Sequence, residues 1–143
     1  MYSTREAEQG DFDFLFELKK AAEYEPIKAI FGWDEEIQQS IHQQEWQEDK
    51  PVIIEIDGKR VGSYLVQVHN DHLYFGRFFL LPQCQGQGIG STVLKEVITL
   101  ASQHNLPINL CYLQGNRVGR LYERYGFEVT VQDSQFVHMR KLP

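Results

Sequence analysis

The chain has 143 residues, 42% hydrophobic and 24% charged, which suits one compact domain able to bury a core without disulfide or metal staples. A formal charge of −6, with no Lys/Arg run longer than Arg140-Lys141, argues against a surface for nucleic acid or an anionic membrane. Cys84 and Cys111 make no disulfide framework and no zinc-ligand spacing, and no segment approaches the ~20 apolar residues of a membrane span, so a cytoplasmic protein without a metal is expected.

Tyr2 to Ala7 predicts a short strand, and Gly10-Asp11 opens a helix carrying Phe12, Leu15, Phe16, Leu18 and Ala22, apolar nearly all round. Pro26 and then an aromatic stretch, Phe31-Gly32-Trp33, follow it. From about Asp34 a second helix is predicted, in which Trp33, Ile37 and Ile41 recur every fourth residue as an apolar stripe. Its other face is rich in Gln and Glu.

From Pro51 the pattern changes to alternating or continuous apolar runs. Val52 to Ile56, Val61 to Val68 and His72 to Leu81 predict three antiparallel strands, joined at Asp57-Gly58 and Asn70-Asp71. Pro82 ends the third. After a glycine-rich turn, Val93, Leu94, Val97, Ile98 and Ala101 trace one face of a long helix. Leu106 to Leu113 predicts a strand, Gly115 to Tyr125 a helix with Val118, Leu121, Tyr122 and Tyr125 on one side, and Phe127 to Val131 and Phe136 to Leu142 two closing strands. The order β-α-α-β-β-β-α-β-α-β-β, without repeats or linkers, is that of one α/β unit.

The turn Gln85-Gly86-Gln87-Gly88-Ile89-Gly90 lies between a strand and a helix, where backbone N–H groups and a helix N-terminus attract phosphate. Many α/β proteins use such a turn merely to reverse the chain. Two other phosphate patterns fail. The dinucleotide fingerprint GxGxxG has Ser91 at its third glycine and no acid ending the next strand, Ile108-Asn109-Leu110-Cys111; the phosphate loop GxxxxGK(S/T) lacks its lysine. Both also expect a parallel βαβ unit, whereas an antiparallel meander precedes this turn.

The turn, preceded by Leu80-Leu81-Pro82-Gln83-Cys84, resembles the signature Q/R-x-x-G-x-G/A of the GNAT superfamily of N-acetyltransferases. The second half of that pattern appears as Asn116-Arg117-Val118-Gly119-Arg120-Leu121-Tyr122-Glu123-Arg124-Tyr125-Gly126-Phe127. The resemblance implies an α/β (α+β) fold with a single mixed central sheet of about six or seven strands flanked by about four helices. It implies acetyl-CoA as cofactor, with its pyrophosphate on the amides of Gln85, Gly86, Gln87, Gly88, Ile89, Gly90 and Ser91. The strand edge at Phe79, Leu80 and Leu81 is expected to pair with the pantetheine arm and Asn116 to hydrogen-bond it. Tyr122 is expected as general acid for the departing CoA thiolate. Gln85 replaces the commoner Arg of the family and removes one cation near the phosphates. Family members often form dimers, and the resemblance extends to a homodimer.

Amine attack on a thioester needs a neutral amine, a stabilised oxyanion and a protonated leaving group. A strand N–H near Leu80 or Leu81 could polarise the thioester carbonyl. Tyr122 also reads as a core tyrosine on the apolar face with Val118, Leu121 and Tyr125. The base is open among Glu35, Glu36, Glu55, His42, His138 and a water relay. Phe31, Trp33 and Glu35 are the candidate acceptor-binding residues, an aromatic surface beside acids that would hold a cationic amine. The alternative has Phe31 and Trp33 plugging the core, Asp34 capping the second helix, and Glu35 and Glu36 favouring its dipole. The acceptor is read as a small-molecule or peptide amine; a non-catalytic CoA-binding sensor and a nucleotide-binding regulatory domain are the other readings.

Overall fold

The computed structural model describes residues 2–143. In chain order it contains β1 (Ser3–Glu6), α1 (Phe12–Phe31), α2 (Glu35–Glu48), β2 (Val52–Ile56), β3 (Lys59–Val68), β4 (Leu73–Leu80), α3 (Ile89–Gln103), β5 (Ile108–Leu113), α4 (Gly119–Arg124), β6 (Glu128–Gln132) and β7 (Phe136–Lys141). Short 3-10 turns, Gln9–Asp11 and Pro82–Cys84, precede α1 and follow β4. The strands form one seven-stranded sheet in the order β1-β2-β3-β4-β5-β7-β6. The β4–β5 pair is parallel, and β1–β2, β2–β3, β5–β7 and β6–β7 are antiparallel, so the expected mixed sheet and four helices are present.

Within this sheet the chain forms two compact units, one of residues up to Leu65 with Arg77–Gln87, the other of Val66–Gly76 with Gly88–Pro143. In the first, Ala7, Leu15, Leu18, Trp46 and Ile53 are buried, with Phe12, Phe14, Phe79 and Leu81 packed against them. The β2–β3 hairpin turns at Asp57 (φ 51°) and Gly58 (φ 76°), the paired positive φ values that such a tight connection requires. Before α1, the buried Asp11 carboxylate accepts two bonds from the Arg5 guanidinium, at 2.7 and 3.0 Å, and further bonds from Arg60 and the Glu8 amide. Arg5 also grips Glu55, tying β1, the start of α1 and β2 together.

Two features of the helical pair depart from the periodicity. The first helix runs on past Ala22 and through Pro26 to Phe31. Pro26 has no N–H to give to the preceding turn, but Ile27, beside it, is buried at 4% exposure and holds the last turn in place. Gly32, at φ 75°, then ends the helix with its N–H on the Lys28 carbonyl.

The stripe of Ile37 and Ile41 does not face inward. These residues are 56% and 39% exposed, and the buried positions of α2 are Gln38, His42 and Trp46, one residue further round. Trp46 meets the Phe12 ring edge-on at 5.5 Å, and His42 lies between Phe12 and Phe16 while its Nε2 donates to the Phe12 carbonyl at 2.8 Å. A tryptophan's large apolar body and a satisfied histidine together outweigh two isoleucines left at the surface.

The β4 strand carries a kink at Arg77, whose φ of 46° is uncommon for a residue with a side chain. Its guanidinium donates to the carbonyls of Glu45 and Asp49, and the Ser63 hydroxyl donates to the Arg77 carbonyl. Nearby, β3 and β4 approach closely at Gly62, where a Cβ would collide with the Phe79 carbonyl and Leu80.

In the second unit α3 buries Ile89, Val93, Leu94, Val97 and Ala101; of the face expected from the sequence Ile98 is only partly buried, and Ile89 joins it. Leu73, Phe75, Ile108, Leu110, Val137 and Met139 supply buried side chains from β4, β5 and β7. The helix expected from Gly115 is shorter: residues 115–118 form turns, and α4 begins at Gly119. The Asn116 side chain explains the delay, because its Oδ1 accepts the Val118 N–H at 3.0 Å and stabilises a turn in place of the first helical turn.

Candidate active site

The end of β4 is fixed within the first unit. The Leu81 N–H donates to the Val61 carbonyl at 2.8 Å, which removes it as a free donor. Strand alternation turns the neighbouring Leu80 N–H to the opposite edge. The Leu80 carbonyl accepts the Gln85 side chain at 3.2 Å. The β4–β5 ladder pairs Leu73 with Ile108 and Tyr74 with Asn109, and β4 runs on from there to Leu80.

After Pro82–Cys84 the chain passes Gly86 at φ 76° and Gly88 at φ 84°, conformations that favour glycine. A Cβ at either would meet no atom within 4 Å, so backbone conformation and not crowding from the chain selects glycine here, and the space outside the turn is open. Among the described residues, no hydrogen bond from the amides of Gly86, Gln87, Gly88, Ile89, Gly90 or Ser91 to the rest of the chain occurs; the first bonded amide of α3 is Thr92, which donates to the Gly88 carbonyl. The first turn of α3 carries no acid to complement its dipole. A run of unpaired backbone donors at a helix start is the kind of feature that binds phosphate. The Gln85 and Gln87 side chains donate back to the Leu80 and Gln83 carbonyls, bracing the turn.

In the second unit Tyr122 of α4 is 5% exposed, its ring 6.4 Å from Phe75, 5.9 Å from Tyr112 and 5.7 Å from Phe127. This is both the core position and the position of the expected acid. Tyr112, which sequence reasoning passed over, is its partner: its pKa is raised by burial and secondarily by Glu123. No local pattern marks Tyr112, because only the fold brings β5 against α4. Asn116 spends its Oδ1 on Val118, which leaves the side-chain amide donor for a ligand.

The aromatic residues before α2 meet the chain's own charges. Trp33 is half-buried, 5.1 Å from Tyr24 and 6.4 Å from Phe16; Lys20 lies over its ring at 5.6 Å. The Trp33 Nε1 donates to Glu35 at 2.7 Å, and Lys20 pairs with the same carboxylate at 3.3 Å. These contacts hold the Glu35 pKa below the ordinary range, the Trp33 bond first and Lys20 after it. Asp34 caps α2 through the Ile37 N–H, and Phe31 is 51% exposed at the end of α1. Lys20 thus stands where a substrate cation was expected.

The candidate bases are largely committed. His42 is a packing residue bonded to Phe12, Glu55 is paired with Arg5, and Glu35 holds Trp33 and Lys20. His138 lies opposite Cys111 across β5 and β7, with Nε2 and Sγ 3.9 Å apart. Glu36 is exposed in the first turn of α2. No group of His, Cys, Asp and Glu suited to a metal occurs among the described residues.

A mixed sheet whose fourth strand leads through a glycine turn into a long helix defines an α+β protein. The Acetyltransferase (GNAT) family matches residues 12–127, and the chain belongs to that family. It is accordingly an acyltransferase that uses acetyl-CoA. Among solved structures, the chain is similar to the PaiA N-acetyltransferase of Thermoplasma acidophilum in complex with coenzyme A, at 19% identity and a TM-score of 0.78, covering 100% of this chain and 99% of that one. It is also similar to the ribosomal-protein-S18-alanine N-acetyltransferase of Escherichia coli, at 17% identity and a TM-score of 0.72 over 99% and 94% of the two chains. PH1933 from Pyrococcus horikoshii matches at 18% identity and a TM-score of 0.78 over 100% and 99%. At these identities the likeness is one of fold. No curated protein matches the sequence.

Proposed function

We propose that this protein is an N-acetyltransferase that passes the acetyl group directly to a primary amine of a small molecule or peptide within a ternary complex. The observation that carries the reading is the run of unbonded amides from Gly86 to Ser91 around two positive-φ glycines, with open space before them. Bound acetyl-CoA supplies an activated acyl group on a thiol that leaves readily.

Each residue's role follows from its chemistry. The amides from Gln87 to Ser91, with Gly86, take the pyrophosphate, and Gln85 contributes by bracing the turn against β4. The edge of Phe79, Leu80 and Leu81 aligns the pantetheine arm, Asn116 gives it a hydrogen bond through its side-chain amide, and the Leu80 N–H polarises the thioester carbonyl. Tyr122 gives its hydroxyl proton to the departing sulfur. Among the described residues no helix is long and apolar enough to cross a membrane; a cytoplasmic location is part of this reading, and a homodimer is its expected assembly by analogy with the family.

Calorimetry with acetyl-CoA, CoA and NAD, followed by a thiol-release assay over an amine panel, tests the reading. Selective binding of the two CoA species and amine-dependent thiol release support it. Equal affinity for NAD overturns it, and CoA binding without release from any amine identifies a sensor instead.

A further inference from the structure

Among the described residues, those other than glycine with positive φ are Asp57, Arg77 and Asn105. Asp57 and Asn105 stand in turns, where their residue types tolerate such values; Arg77, at φ 46°, stands inside a strand, β4. A long side chain in that conformation carries a backbone cost that glycine would not, and it persists only where its surroundings offset the cost.

The Arg77 guanidinium makes that offset itself. Its Nη1 donates to the Asp49 carbonyl at 2.9 Å and to the Glu45 carbonyl at 3.2 Å, and its Nε lies 3.5 Å from the Glu45 carboxylate, which Lys19 of α1 also holds. These carbonyls belong to the end of α2, whose last turn has no basic residue of its own, so the cation sits where the helix dipole favours it. From β3 the fully buried Ser63 hydroxyl donates to the Arg77 carbonyl at 3.1 Å. The bend is clamped between α2 and β3.

Two residues further along β4 the Phe79–Leu81 edge begins. There β3 comes so close that a Cβ on Gly62 would lie 2.5 Å from the Phe79 carbonyl, and the Leu81 N–H bonds the Val61 carbonyl at 2.8 Å. Phe79 and Leu81 pack on the core of the same unit. With β4 seated this closely, no slack separates the bend from the edge, and a change of direction at Arg77 carries into it.

We propose that Arg77 is a positioning residue of the transfer: by gripping the end of α2 it holds β4 in the bend that aims Phe79, Leu80 and Leu81 at the pantetheine arm of acetyl-CoA. The inference rests on the assignment of that edge to the pantetheine in the reading above. The site uses the bend, and the guanidinium keeps it; Arg77 itself makes no contact with the cofactor. A side chain that retains a Cβ but no donor lets β4 straighten toward ordinary extended backbone. Glycine, which has neither, leaves the bend available at little cost.

The test compares Arg77→Ala with Arg77→Gly in the whole chain, with acetyl-CoA and ADP as calorimetric probes. ADP offers the glycine turn a diphosphate and has no pantetheine. Arg77→Ala is expected to bind acetyl-CoA about 10-fold more weakly, as for the loss of one or two hydrogen bonds to the arm, with ADP affinity unchanged. With the best amine from the panel its kcat is expected to fall by about 100-fold through misplacement of the thioester. Arg77→Gly is expected to return both quantities to within about fivefold of wild type, because glycine adopts the bend freely, although both variants lack the clamp and melt below the wild type. Should the alanine variant not fold, Arg77→Met takes its place, keeping a Cβ and an apolar stem without a donor. Equal losses in the two variants, a fall in ADP affinity matching that for acetyl-CoA, or an alanine variant with wild-type kcat and affinity overturns the proposal and leaves the enzyme reading intact. Wild-type protein that binds acetyl-CoA no more tightly than ADP overturns the edge assignment and the proposal with it.

Discussion

The hydroxyl of Tyr112 lies against Gly119 so closely that a Cβ at that position would collide with it, and the Tyr112 ring packs 5.9 Å from that of Tyr122. Gly119 is therefore a spacing residue for the proposed acid. Gly119→Ala should push Tyr112 aside and, through it, shift Tyr122. Overpacking of this kind costs about 1–3 kcal/mol, and turnover should fall with acetyl-CoA affinity little changed. Thermal unfolding and the thiol-release assay check the two effects; a variant with native stability and rate would show that Tyr112 simply moves away.

Tyr122→Phe separates the acid from the core residue, since the ring contacts to Phe75, Tyr112 and Phe127 are kept. A positioned acid contributes roughly 100-fold or more, so kcat should drop by about that factor while acetyl-CoA affinity holds. An unchanged kcat would remove Tyr122 from the chemistry.

Gly88 starts α3 at φ 84°, with open space where a side chain would stand. Gly88→Val should destabilise by about 1–2 kcal/mol from the left-handed backbone, yet still fold, and its side chain would stand over the unbonded amides. Acetyl-CoA binding is expected to weaken by more than 100-fold in calorimetry, and normal affinity would contradict the cradle.

Asp11 is held far below the usual carboxylate range, first by the Arg5 hydrogen bonds and then by the Glu8 amide and Arg60, against the opposing effect of burial. A depressed folded-state pKa contributes stability that is present above the unfolded value and lost as pH falls. Wild-type stability should therefore decline below about pH 4, the ordinary aspartate value. Asp11→Ala leaves Arg5 and Arg60 without their shared acceptor and should cost about 2–4 kcal/mol at pH 7, with a flatter acid limb. Denaturant unfolding across pH 2–7 measures both; parallel curves for the two proteins would refute the linkage.

The sequence carried the frame of this molecule because its signals there are local. Asp57-Gly58 demands positive φ, the run from Val93 to Ala101 has a helical period, and Gly86 and Gly88 stand where only glycine is comfortable. The motif residues Asn116 and Tyr122 were legible for the same reason, although Asn116 was expected to open a helix and instead holds a turn ahead of it. The facing of α2 was misread. Hydropathy ranks Ile37 and Ile41 above Gln38 and His42, yet His42 becomes an inside residue once the Phe12 carbonyl accepts its proton.

What the sequence by itself determined is the order and type of the elements and the glycine turn ahead of α3, since each depends on residues close together in the chain. Tertiary structure alone decided which polar groups are spent and which are left over. Lys19 and Arg77 settle on Glu45, Lys20 on Glu35 and the Leu81 amide on Val61. Charge pairing depends on distance in space, and residues as far apart as 19, 45 and 77 acquire a common neighbourhood only when the sheet and helices have formed.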